Sequence, residues 1–196
     1  MKQGLIFLLF FMLTACSSIG SNLAEITGLS FLHDRRDGAA ITADERIEDS
    51  AIIALRQLDD VKEKSHFNIT SYNAKVLITG EAETEEIREK IISNVRIIPG
   101  VKLVHDDLLV APVSSVQSRS NDALLTIKVK DAIAEIDDMP GFDATRVKVI
   151  SENQVVYLMG LVHEGEAQAT AKKVQTVDGV KEIITVFEYI DYDNKK

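Results

Sequence analysis

A single cysteine in 196 residues excludes an internal disulfide framework, a cysteine-rich zinc site and a CxxC redox pair. Basic side chains are also scarce. The 22 Lys and Arg residues face 31 Asp and Glu, and the formal charge of −9 opposes attraction to nucleic acid, so no nucleic-acid partner is expected. No apolar run reaches the roughly 20 residues of a membrane-spanning helix. His33, His66, His105 and His163 form no His-x-x-x-His pair and are expected at the surface; Gly-x-Ser-x-Gly, Gly-x-x-x-x-Gly-Lys and dinucleotide fingerprints are missing. The pairs Asp59-Asp60, Asp106-Asp107 and Asp137-Asp138 read as solvated element ends, because adjacent side chains diverge in a helix or strand. The expectation is a chain without enzymatic activity, metal or cofactor. With 45% apolar and 27% charged residues, it still has the composition of a globular protein.

Residues 1–15 have the form of an export signal: Lys2, then the apolar run Leu5 to Met12, then Leu13-Thr14-Ala15 ahead of Cys16. Leu-Thr-Ala-Cys resembles the bacterial lipobox, which implies cleavage before Cys16 and covalent diacylglycerol and N-acyl chains on that residue. Ser17 and Ser18 follow where Asp favours inner-membrane retention, so the expected location is the outer membrane, facing the periplasm. Residues 16–43 show no sustained period and read as a tether, although Ile26 to Leu32 forms a short apolar patch.

Beyond residue 43 the chain repeats itself. Asn68 to Gly80 aligns with Lys148 to Gly160 at an offset of 80, pairing Ile69 with Val149, Asn73 with Asn153, Val76 with Val156 and Ile78 with Leu158. Ile98-Pro-Gly-Val101 then matches Val177-Asp-Gly-Val180 at an offset of 79. Each copy reads as helix, strand, turn, strand, helix, strand. Ile47, Ala51, Ala54, Leu55 and Leu58 form one helical stripe, and Leu125, Val129, Ala132, Ile133 and Ile136 form its counterpart. Asp44 and Asp122 stand ahead of these stripes, where a carboxylate can accept the orphan amides of a helix start. Asn73 and Asn153 mark hairpin turns. The second strands are expected to end at Gly80 and Gly160, where a side chain would strike the following helix; Gly100 and Gly179 close the second helices.

The strand ends Val76-Leu-Ile-Thr-Gly80 and Val156-Tyr-Leu-Met-Gly160, with the later Gly100-Val101 and Gly179-Val180, resemble the BON domain of bacterial envelope proteins. Ser120-Asn121-Asp122 and Leu158-Met-Gly-Leu-Val162 are particularly close to the lipoproteins that carry two such domains. The resemblance implies an α+β fold of two tandem αββαβ domains, each a three-stranded mixed sheet packed by two helices. The expected boundaries are 44–113 and 121–191, with a linker at 114–120 and a polar tail at 192–196. It also implies binding of anionic phospholipid, support of outer-membrane integrity, enrichment at the division site and partners among outer-membrane assembly or division proteins.

Comparing the two first helices at an offset of 78 places a candidate binding face. Leu124, Ile127 and Ala134 occupy the positions of Arg46, Asp49 and Arg56, on the side opposite the core stripe at about 100° per residue. With Lys128 and Lys130 alongside, this face suits contact with acyl chains and lipid phosphates. The same residues would equally serve packing against the first domain or the Ile26 to Leu32 patch, and Ile52 and Ile53 offer the other half of such a contact. A protein-interaction adaptor built on these faces is the alternative function. Removal of Lys2 with the signal makes the chain still more acidic, so attraction to a membrane depends on local lysines and the acyl anchor.

Overall fold

The computed structural model describes residues 34–191; Cys16, the Ile26 to Leu32 patch and the polar tail lie outside them. The first copy runs α1 (Gly38–Arg56), α2 (Asp59–Lys64), β1 (Ser65–Tyr72), β2 (Lys75–Ala82), α3 (Glu85–Arg96) and β3 (Leu103–Val110). The second runs α4 (Val116–Ala134), a 3-10 turn (Ala144–Arg146), β4 (Lys148–Glu152), β5 (Val155–Val162), α5 (Glu164–Val174) and β6 (Glu182–Tyr189). In each sheet the central strand is antiparallel to the first and parallel to the third. A hairpin can join only antiparallel neighbours, whereas a helical crossover brings the last strand back parallel. The α+β mixed-sheet architecture is therefore as the resemblance implies, with the short helix α2 ahead of β1 in the first copy and the 3-10 turn ahead of β4 in the second.

Alternation along the central strands divides the apolar residues between two faces. Val76, Ile78 and Ala82 meet Ile47, Leu55, Ile91 and Val95 beneath the helices of the first domain. Val156, Leu158 and Val162 meet Leu125, Val129, Ile133 and Val174 in the second. The opposite faces are apolar too. Tyr72 and Leu77 pack with Tyr157 and Met159, flanked by Ile150, Ile184 and Val186, in a third buried layer. The two sheets thus meet face to face, and Ile52 and Ile53 are not the interdomain contact: Ile52 packs on its own core, and Ile53 is exposed. The described residues 34–191 lie in one compact unit, and all three apolar layers are supplied from within it.

Both first helices begin six residues ahead of Asp44 and Asp122. Asp37 caps α1 by accepting the Ala40 N–H at 2.6 Å, and Ser115 caps α4 by accepting the Ser118 N–H at 3.1 Å. Helix therefore includes residues 38–43 of the expected tether and 116–120 of the expected linker. Asp44 and Asp122 do accept orphan amides, but those of the hairpin turns. Asp44 takes the N–H groups of Asn73 and Ala74 at 2.8 Å, and Asp122 those of Asn153 and Gln154 at 3.1 and 3.0 Å. These turn residues all have positive φ, between 51° and 66°, and leave two adjacent N–H groups pointing at one acceptor.

The strands continue past Gly80 and Gly160 to Ala82 and Val162. The constraint at these glycines comes from the preceding chain and not from the following helix. A Cβ on Gly80, at φ +122°, would lie 2.1 Å from the His66 carbonyl oxygen across the β1–β2 pair, and one on Gly160 would lie 2.5 Å from the Arg146 carbonyl oxygen. Gly100 and Gly179 have φ of +98° and +103°, the left-handed closure their positions require.

Candidate functional site

Among the described residues no helix is long and apolar enough to cross a membrane. Helix α4 instead presents an apolar face outward. Its core side buries Leu125, Val129 and Ile133. On the opposite side Leu124 is 58% exposed, Ile127 55% and Val116 70%, with Ala123 and Ala134 also exposed. None of these belongs to a buried apolar cluster of the described residues. Lys128 is exposed beside them and Lys130 is half-buried on the other flank. Val116 was not singled out by the sequence, because the helix was expected to begin after it.

Polar groups join the domains around the apolar layer. Asn153 in the second hairpin donates to Glu81 Oε1 at 2.6 Å, while Asn73 in the first donates to Glu188 Oε2 at 3.2 Å. Lys148 reaches Glu48 at 2.8 Å. Leu161 lies beyond the end of the short β4 pairing, so its backbone groups find other partners: its N–H donates to the Tyr72 hydroxyl at 3.0 Å, and its carbonyl accepts from Arg35 Nη1 at 3.0 Å. Arg35 also grips Glu166 with two bonds, at 2.5 and 2.8 Å. The neighbouring Arg36 turns to the first domain, bonding Asp44 at 2.7 Å and lying 3.7 Å above the Tyr72 ring. Asp34, Arg35 and Arg36 therefore clasp both domains, within a stretch that reads as a polar tether.

The electrostatics follow from this burial. Burial pushes the Glu166 carboxyl upward, but hydrogen bonds from Arg35 and the His163 N–H outweigh it and hold the group below the ordinary carboxylate value. Burial raises the Tyr72 hydroxyl to about 12 against the opposing pull of Arg36. Asp107 shifts the other way, raised by burial and then by the Asp106 and Glu182 carboxylates. Asp106 and Asp107 are thus not solvated element ends: both lie within β3, Asp106 paired with Arg88 and Asp107 turned toward Tyr157. His66, His105 and His163 are half-buried and not freely exposed; His66 lies 3.7 Å from Glu152, and His163 Nδ1 lies 2.8 Å from the Ile190 carbonyl.

The structure gathers Leu124, Ile127, Lys128 and Ala134 on one outward helix. Beside that helix opens a cleft of about 340 Å³ formed with β1 of the first domain and β4, lined by Arg119, Asp122, Thr126, Ser151 and Glu152 among others. Sequence reasoning had no access to it, because its walls come from both domains.

Comparison with known proteins returns the BON domain twice, at residues 43–112 and 121–191. The chain is 34% identical over 148 residues to the Outer membrane lipoprotein DolP of Haemophilus influenzae, covering 76% of this chain and 75% of that protein. It is 29% identical over 157 residues to a 21 kDa hemolysin of Actinobacillus pleuropneumoniae, covering 80% and 79%. Among solved structures, CdsD of the Chlamydia trachomatis type III secretion system aligns with a TM-score of 0.28 at 11% identity, covering 74% of this chain and 92% of that one.

Proposed function

This chain belongs to the BON-domain family and is lipid-anchored at the outer membrane, and from that premise we propose that it is a non-enzymatic protein that binds anionic phospholipid through α4 and supports outer-membrane integrity, including at the division site. The observation that carries the reading is the exposure of Leu124 and Ile127 opposite the core of α4. An apolar side chain there gains nothing from its own domain. Moving two half-exposed side chains of this size among acyl chains contributes about 2–3 kcal/mol, and each lysine near anionic headgroups adds about 1 kcal/mol. A total of roughly 4–5 kcal/mol corresponds to millimolar affinity. Such a contact is measurable at millimolar lipid and becomes lasting when something else holds the protein at the membrane.

Acyl chains on Cys16 would supply that hold. Residues 17–33 span at most about 60 Å when extended, which keeps α4 within reach of the same bilayer and replaces solution binding by a high effective concentration. The overall charge of −9 means that the chain's long-range field does not favour an anionic surface, so the local lysines and burial make the contact.

A second reading, a protein-interaction adaptor for outer-membrane assembly or division proteins, is favoured by β3. It is an edge strand of the first sheet, and Leu103, Leu109 and Val110 on it are exposed. An apolar strand edge is a ready surface for pairing with another chain.

The test is an NMR titration of a soluble fragment comprising residues 33–196, which contains all three apolar layers. Phosphatidylglycerol micelles are expected to shift amides of residues 116–134, and phosphatidylcholine micelles to leave them unmoved. Shifts confined to β3, or none with either lipid, would overturn the lipid reading.

A further inference from the structure

Glu152 carries an unmet bond. Its side chain is only 5% exposed and faces the first domain from the end of β4. Oε2 accepts from Asn68 Nδ2 at 2.7 Å and lies 3.7 Å from His66 Nε2, whereas Oε1 has no hydrogen-bond partner among the described residues. A buried carboxylate oxygen without a donor is costly, and native proteins usually supply one from solvent or a ligand. Glu152 lines the cleft beside α4, together with other acceptors. Asp122 is buried there on the Asn153 and Gln154 amides, and Ser151 Oγ already accepts from Thr126. With those acceptors already bonded, Glu152 Oε1 is the open acceptor among the cleft residues.

Its other wall is the flank of the outward face of α4. Ala123 belongs both to the exposed apolar face and to the cleft lining, and Arg119, one turn earlier, is the cationic group of the cleft. A helix lying in the membrane surface sinks its apolar face among acyl chains and keeps its flanks at the depth of the headgroups. The partner a carboxylate oxygen takes in such a place is an O–H or N–H donor.

We infer that this cleft reads the headgroup of the lipid that α4 engages, taking a phosphodiester whose headgroup carries its own O–H or N–H donors, with Glu152 accepting the donor and Arg119 facing the phosphate. The inference rests on the phospholipid reading above and adds selectivity to it. Charge alone would not distinguish anionic lipids; a donor-accepting cleft does.

The experiment compares phosphatidylcholine vesicles containing phosphatidylglycerol with vesicles containing the same fraction of phosphatidylmethanol, which has equal charge and no headgroup donor. The 33–196 fragment is expected to bind the phosphatidylglycerol vesicles roughly three- to tenfold more tightly, the effect of one added hydrogen bond. Glu152→Gln, which can keep the Asn68 bond while replacing the open acceptor by a donor, should erase that difference, any gain from the lost carboxylate charge being common to both anionic lipids. In the wild type, amides of His66 to Thr70 should shift with phosphatidylglycerol micelles and stay still with phosphatidylmethanol micelles, a readout that requires no variant to fold. Equal binding to both vesicles would overturn the cleft while leaving the membrane contact standing. Binding to neither would overturn both. Equal shifts of the β1 amides by sn-glycerol 3-phosphate in solution, without lipid, would overturn the membrane as the source of the ligand.

Discussion

The Tyr72 hydroxyl accepts the Leu161 N–H across the domain interface, 89 residues away in sequence and 3.0 Å in space. It exists because β4 pairs only residues 155–159 of β5, whereas β1 pairs the whole of β2. On the β4 side the end of β5 would otherwise leave a part-buried backbone donor without a partner, although its other side pairs with β6. The second domain is completed by a side chain of the first.

Tyr72→Phe removes that acceptor and leaves the ring. The expected cost is about 1–2 kcal/mol, or a Tm lower by roughly 3–6 °C for a unit of this size. An unchanged Tm in thermal unfolding would show that water replaces the hydroxyl without loss.

Arg35→Ala should cost about 2 kcal/mol at neutral pH, because Glu166 stays buried with Arg146 at 3.6 Å as its remaining cation. The sign with pH is fixed by the lowered pKa of Glu166. Its contribution is present above the ordinary value of 4.5 and is lost as pH falls through the lower folded value. Urea unfolding between pH 6 and pH 3 should therefore show a shallower fall in stability for the variant than for the wild type. Parallel curves would place the acid sensitivity elsewhere.

Asp107→Asn should raise the Tm at pH 7. Burial and the Asp106 and Glu182 carboxylates raise the Asp107 pKa, so its ionised form opposes folding above that value, and asparagine retains an oxygen for Tyr157. The gain should shrink as pH falls through the raised folded value toward the ordinary 3.8, the wild-type carboxyl taking up its proton on the way. A lower Tm at pH 7 would contradict this.

Gly80→Ala should cost more than about 3 kcal/mol, since the clash is with a backbone carbonyl that a strand pair holds in place. Gly100→Ala meets only the flexible end of Ile47 at 3.4 Å, leaving a backbone strain of about 1–3 kcal/mol. Denaturant unfolding of the two variants should rank them in that order.

Much of this was legible in the residues because each signal was local or doubled. The repeat aligned Asn73 with Asn153, and both turns have matching positive φ. The 100° spacing put Leu124 and Ile127 opposite Leu125 and Val129, and they are exposed. Asp44 and Asp122 misled about the helix starts because a carboxylate ahead of an apolar stripe looks the same whether it serves its own helix or a hairpin 29 to 32 residues away. The runs around Leu77 and Tyr157 were apolar on both strand faces, a sign of burial on both sides, but nothing in one chain says which surfaces meet. Arg35 sits in a charged stretch without period, and its partner lies 131 residues on.

The most direct measurement is vesicle co-sedimentation of the 33–196 fragment carrying Leu124→Glu and Ile127→Glu together, with its thermal unfolding recorded alongside. The account predicts loss of binding to phosphatidylglycerol vesicles with a Tm within about 2 °C of the wild type, because exposed sites change stability little. Retained binding, or loss of the fold, would contradict it.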